Sequence, residues 1–317
     1  MWKRRRPEKI VTIKDISRAI RTRQWAKNAL LFGGFLFAGG LRAPKATLWF
    51  QLELVLLAFG CFCALSGAAY LINDWQDLER DRHHPTKKNR PLASGRISLR
   101  GAAFLFVILV GIALGAAAFL LVLQPLARGF AFAAASYFAL TLAYSLYLKH
   151  EVIIDVLSVA AGFVVRVVAG CLALPVQISP WILFCTFNLA LFVALCKRRA
   201  ELLELENSAQ TRRVLQGYTP AMLDTFIAIA AGLTIISYSL YTFDAPNSLA
   251  LGGSFGGAPR LMTSIPFVVY GVFRYLLIAH SSPVGGEPEQ MLRDKPLMTS
   301  VLLWGVWVAL LTILPSH

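Results

Sequence analysis

Apolar residues run along this chain in long unbroken stretches instead of alternating with polar ones. Nine such stretches stand out, at roughly 28–41, 48–72, 98–123, 128–148, 152–174, 179–196, 221–242, 261–280 and 297–314. An α-helix needs roughly 20 apolar residues to cross a bilayer. Barrel strands would alternate at every second position, and no such alternation appears. Helices are then the spanning element, because each satisfies its backbone groups internally. The pattern predicts an all-α, polytopic membrane protein with nine transmembrane helices. The first stretch is short, and residues 14–27 ahead of it read as an amphipathic helix lying in the interface. The predicted organisation is a basic segment, 1–27, followed by one membrane domain, 28–317.

Composition agrees: 57% of the 317 residues are hydrophobic and 15% are charged. The polar minority is placed unevenly. Threading nine spans puts 25 of the Lys and Arg residues on the side of the N-terminus and four on the other. Positive residues mark the cytoplasmic side, so the N-terminus and the largest charged loop are expected there. A net charge of +14 without aromatic interleaving or a DNA-binding motif argues for anionic lipid and phosphorylated ligands, not nucleic acid. "MWKRRRPEK" is followed by an amphipathic segment, so it does not read as a cleavable leader. The five cysteines lie in or beside apolar stretches without metal-ligand spacing, as small buried residues do.

Two constellations carry candidate chemistry. The second apolar stretch ends in "LINDWQDLERDRHHPTKKNRPLASG". On a helix Asn73, Asp77 and Asp81 share one face, with Asp74 about 100° from Asn73. Clustered carboxylates repel unless a cation sits among them. Hard oxygen donors suit Mg²⁺ bridging to a phosphate; pairing with Arg80, Arg82 and Lys87 in a solvated loop is the alternative. In "IIDVLSVAAGFVVRVVAGC", Asp155, Ser158, Gly162 and Arg166 form a polar stripe, with Asp155 and Arg166 about 20° apart and about 16 Å apart along the axis. That distance excludes a direct pair, and a mid-span arginine needs a cavity or a partner. Softer signals are "RTRQWAKN", where Arg23, Trp25 and Lys27 suit either an interfacial anchor or a phosphate contact, and a Lys197–Glu201 surface pair. Arg274 faces the interior, and His83 and His84 shape a loop.

"NDWQDLERD" followed by "HPTKKNRPLASG" resembles the NDxxDxxxD and HPxKxxRPxASG signature of the UbiA-type membrane prenyltransferase superfamily. "RTRQWAKN", "YSLYLK", "KRRAEL", "GYT" and "GEPEQMLRDKPL" are similar to the branch that transfers phosphoribosyl groups to decaprenyl phosphate. The resemblance implies a nine-helix bundle with its active site at the cytosolic face. It implies transfer of the 5-phosphoribosyl group of phosphoribosyl pyrophosphate to a polyprenyl phosphate, releasing pyrophosphate. Asn73, Asp74, Asp77 and Asp81 would hold Mg²⁺. Lys87 and Arg90 would hold the diphosphate, while Arg166, Lys149 and Lys27 would hold the sugar or lipid phosphate. Tyr144 of "YSLYLK" joins the substrate-binding set, and Asp155 would order a ribose hydroxyl or a second Mg²⁺. The acceptor oxygen is already anionic, so no catalytic histidine is needed. One alternative is transfer of a polyprenyl group from its diphosphate to an aromatic acceptor. That calls for a second acid paired with Asp155, where Val159 stands four residues on. The other is a lipid or solute transporter, which has no use for acids clustered at one span end. Acceptor length, the number of Mg²⁺ ions and oligomeric state stay open, a homo-oligomer included.

Overall fold

The computed structural model describes residues 11–37, 44–83, 87–174, 176–205, 215, 217–248, 254–255, 258–281, 291 and 293–313. Residues 1–10, 84–86 and 282–290 are among those outside them. The described chain is helical apart from one antiparallel ladder, Ser254–Phe255 with Ala258–Pro259.

The amphipathic start forms α1 (Ile13–Ala19), opened by a capping box between Thr12 and Asp15. Arg21 then takes a left-handed conformation, φ 52° and ψ 54°. It turns the chain into a 3-10 helix, Thr22–Leu31, and α2 (Phe32–Phe37). The single interfacial helix expected over 14–27 is thus broken at Arg21, and the stretch 28–41 is not one continuous α-helix. Among the described residues seven helices are long and apolar enough to span a membrane, where the apolar stretches predict nine. They are α3 (Lys45–Gln76), α5 (Leu99–Leu123), α6 (Arg128–Leu146, extended to Pro125 by a 3-10 turn), α7 (Ile154–Ala173), α8 (Pro180–Leu205), α9 (Pro220–Ser248) and α10 (Ile265–Ser281, extended to Arg260 by a 3-10 turn). Between α3 and α5 lies the short α4 (Leu78–His83), and α11 (Lys295–Ile313) is a shorter apolar helix. Counting apolar residues cannot foresee a 3-10 segment. Its rise of about 2.0 Å per residue carries the chain farther per residue than an α-helix does.

Spanning helices here turn small or polar residues inward and greasy ones outward. α5 buries Ala102, Leu109, Ala113 and Leu120 as one stripe against α3, and exposes Phe104, Val107, Leu114 and Val122. α7 sits at the centre, packed on α6, α8, α2 and the 3-10 helix. Its closest approach is at Gly170, where an added Cβ would lie 2.0 Å from the Leu31 carbonyl oxygen.

Beside that contact lies Arg166, 8% exposed. An arginine at the centre of a span costs about 2.5–3.5 kcal/mol, and neutral partners offset it. Its Nε donates to Asn28 Oδ1 (2.8 Å), and its two terminal nitrogens donate to Tyr137 Oη (2.8 Å) and the Gly162 carbonyl (2.9 Å). The guanidinium also stacks on the Tyr137 and Phe163 rings. Asn28 itself donates toward Ser66 Oγ and Cys63 Sγ. Arg166 thereby pins the 3-10 helix, α3, α6 and α7 to one another. Gly170→Ala should force Leu31 off α7 and cost about 1–3 kcal/mol. It reads as a lower thermal midpoint in detergent, and an unchanged midpoint would contradict this packing.

Candidate active site at the charged end of the bundle

At 32 residues α3 is about 48 Å long, well beyond the roughly 30 Å hydrocarbon layer. Its last turn therefore reaches the membrane edge and carries Asn73 and Asp74 with it. Asp77 caps α3, its N–H bonded to the Asn73 carbonyl, and α4 continues to Asp81. Three carboxylates from one local segment thus collect at one end of the bundle.

Each of them meets a cation. Asp74 is 3% exposed; its Oδ1 accepts from Arg21, and from Arg90 at 3.2 Å. Arg21 also lies over the Tyr70 ring at 4.5 Å. Asp81, 2% exposed, accepts from the same Arg90 nitrogen at 2.6 Å. Asp77 is half-buried; Lys149 Nζ reaches its two oxygens at 3.3 and 3.4 Å, and Arg80 stands 3.8 Å away. Asn73 Nδ2 donates to Asp77 Oδ2 at 3.4 Å. Glu79 pairs with Arg82 on the exposed side of α4.

Lys149 comes from the turn between α6 and α7, a 3-10 segment over Leu148–His150. That turn closes at Ile153, whose φ of 71° and ψ of −46° are rare for a β-branched residue. Such a conformation costs about 1–3 kcal/mol and persists only where the surroundings impose it. The Ile153 N–H donates to Tyr218 Oη at 2.6 Å, and Tyr218 donates onward to Asp155 Oδ1 at 2.8 Å. Arg198 Nε donates to Asp155 Oδ2 at 2.6 Å, and another Arg198 nitrogen reaches Tyr144 Oη at 3.1 Å. Arg198 also pairs with Glu201. Burial and the neighbouring Asp155 carboxylate raise the Tyr218 phenol above its ordinary range, so it stays protonated and donates.

The sequence-derived residues therefore divide. Asn73, Asp74, Asp77, Asp81, Arg90 and Lys149 converge. Lys87 lies half-buried in the 3-10 turn Lys87–Asn89 just before Arg90. Asp155, fully buried, and Tyr144 belong to the Arg198 network beside this cluster. Arg166 and Lys27 lie on α7 and the 3-10 helix, and Arg166 is held by Asn28 and Tyr137. The Asp155–Ser158–Gly162–Arg166 stripe is buried against protein along its length, Ser158 bonding back to the Ile154 carbonyl. Arg274 pairs with Asp294 at 2.7 Å, which holds that carboxyl below its ordinary range. Sequence reasoning missed Arg21, Arg198 and Tyr218. All three stood in quoted motifs, in "RTRQWAKN", "KRRAEL" and "GYT", and an acid on α7 too far from Arg166 on the same helix to pair with it was the signal for Arg198.

The donor set of Asn73, Asp74, Asp77 and Asp81 is all oxygen, which fits a hard divalent cation such as Mg²⁺. Asn73 donates through its nitrogen to Asp77, so its carbonyl oxygen is the atom of that side chain that would ligate an ion. Both contacts on Asp74 fall on one oxygen. Among the described residues no three His, Cys, Asp or Glu side chains stand gathered as a ready metal cluster. The acids pair instead with Arg21, Arg90 and Lys149.

Residues 29–283 match the UbiA prenyltransferase family. The chain is 33% identical to the decaprenyl-phosphate phosphoribosyltransferase of Mycolicibacterium smegmatis, covering 92% of this chain and 90% of that one. It is also 33% identical to the enzyme of that name from Corynebacterium glutamicum, over 95% and 87% of the two chains. Its fold is similar to that of a UbiA homologue from Archaeoglobus fulgidus bound to GPP and Mg²⁺, with a TM-score of 0.67 at 17% identity. That match covers 95% of this chain and 100% of the other. The protein is a multi-pass membrane transferase. It belongs to the UbiA prenyltransferase family.

Arg90 is the cation that Asp74 and Asp81 share. Removing one partner of a buried ion pair costs about 3–5 kcal/mol, and Arg90→Ala should fall at the lower end because Arg90 is 25% exposed. Adding Asp81→Asn should recover part of the loss by removing a stranded charge. Thermal midpoints of the single and double variants check this; a double variant less stable than Arg90→Ala would contradict the shared pairing.

Proposed function

We propose that this enzyme transfers the 5-phosphoribosyl group of phosphoribosyl pyrophosphate to a polyprenyl phosphate, releasing pyrophosphate, in a Mg²⁺-dependent reaction. One observation carries the reading: acids that suit a divalent ion and cations that suit phosphates meet at one end of the bundle, where Asp74, Asp77 and Asp81 touch Arg21, Arg90 and Lys149. Full-length likeness to enzymes named decaprenyl-phosphate phosphoribosyltransferase supports the donor and acceptor. The basic character of this end supports a cytosolic face, reached by a water-soluble donor.

In this account Asn73, Asp74, Asp77 and Asp81 hold the ion, which when bound neutralises the diphosphate and stabilises it as a leaving group. Lys87 and Arg90, on the turn after α4, face the same charge. Lys149 reaches across from the α6–α7 turn and fixes Asp77 until substrate arrives. An acceptor phosphate oxygen forms the new bond to the ribosyl anomeric carbon as the bond from that carbon to pyrophosphate breaks. That oxygen is anionic at neutral pH, so the residues present supply position and charge and need no general base. Lys27 and Arg166 add positive potential along the route of the lipid phosphate.

Asp77→Asn and Asp81→Asn, assayed with labelled phosphoribosyl pyrophosphate and a polyprenyl phosphate, should each lower turnover about a hundredfold or more. Full activity in both variants would sink the metal role.

A further inference from the structure

Lys149 is the sole cation that the α6–α7 turn sends to the carboxylate cluster among the contacts described, and both ends of its segment are tied to one buried group. On the N-terminal side, Tyr144 Oη accepts from Arg198 at 3.1 Å. On the C-terminal side, the Ile153 N–H donates to Tyr218 Oη at 2.6 Å. Arg198 and Tyr218 then converge on the two oxygens of Asp155, at 2.6 and 2.8 Å. Asp155 and Tyr218 are 0% and 4% exposed, so neither bond competes with water.

The backbone shows that this tie bears load. Ile153 holds a conformation that L side chains avoid. The Tyr218 loop presses on the same turn, since a Cβ at Gly217 would lie 2.4 Å from Val152 Cγ2. Only glycine lets that loop close onto residue 152, and only then does the Tyr218 hydroxyl reach the Ile153 N–H. Each Asp155 oxygen thus accepts a bond from this network.

We propose that Tyr218, Asp155 and Arg198 are positioning residues that clamp the 144–153 segment and hold Lys149 on Asp77, setting the diphosphate end of the site from behind. This rests on the phosphoribosyl-transfer reading for its consequence in turnover, but the placement of Lys149 is independent of it. Lys149 is 14% exposed in its side chain, so its amine should react slowly with a water-soluble acylating reagent. A lost hydrogen bond to a charged group shifts an equilibrium by about tenfold or more. Tyr218→Phe should therefore raise the rate of Lys149 acetylation by about that factor, read by peptide mass spectrometry, while the exposed Lys295 reacts as before.

In turnover, Tyr218→Phe should lower kcat/KM about tenfold for the donor, with a smaller change in the lipid KM. Lys149→Ala should abolish that effect, the double variant behaving as Lys149→Ala alone, because coupled residues do not add. Ile153→Gly placed in Tyr218→Phe should restore part of the loss, glycine adopting the turn without the hydroxyl's help. Arg198→Lys keeps a charge for Asp155 and releases Tyr144, so it gives the same acetylation readout if Tyr218→Phe does not fold. Unchanged Lys149 labelling in the folded variant, or additive losses in the double variant, would overturn the clamp. A wild-type protein with slow Lys149 labelling but no phosphoribosyl transfer would overturn only the proposed function.

Discussion

The charged end of this bundle depends on buried carboxylates that are paired with cations brought to them from elsewhere in the chain. Asp74 and Asp81 are nearly sealed from water, and removing a carboxylate from water costs several kcal/mol unless partners replace the lost hydration. Arg90 supplies that replacement to both. Arg21 supplies more to Asp74 and, through its left-handed turn and its stacking on Tyr70, fixes where the 3-10 helix begins. The same pairing gathers charge of both signs at one end of the bundle.

A second tier supports the first. α7 carries a buried acid at one end and a buried arginine in its middle, and neither finds the other. Asp155 draws Arg198 from α8 and Tyr218 from the following loop; Arg166 draws Asn28 and Tyr137. In a low-dielectric surround each such bond is strong and each unmade one costly. Four segments that would otherwise slide past one another thus share one register around α7, and the Lys149 turn inherits its position from that register.

Much of this was legible in the chain. Asn73, Asp74, Asp77 and Asp81 sit within one short segment whose helical periodicity places them together, Arg90 stands in the motif just after it, and Lys149 lies just past the end of an apolar stretch. What the sequence did not disclose is pairing across elements. Asp155 and Arg166 do share a helix face, as their spacing requires, but their partners come from other helices by tertiary packing. Arg21 was invisible for a different reason, since its reach to Asp74 depends on a left-handed residue that no apolar count can foresee. The same break at Arg21, and the 3-10 segment after it, are why the first apolar stretch gives no continuous spanning helix; the last stretch gives the shorter α11 instead.

The most direct test of the central claim is mass spectrometry of the lipid formed when the purified protein meets phosphoribosyl pyrophosphate, a polyprenyl phosphate and Mg²⁺. The account predicts a polyprenyl phosphate that has gained one phosphoribosyl group, formed together with pyrophosphate and absent when Mg²⁺ is chelated. No such lipid, with a prenylated product appearing instead from a polyprenyl diphosphate and an aromatic acceptor, would contradict it.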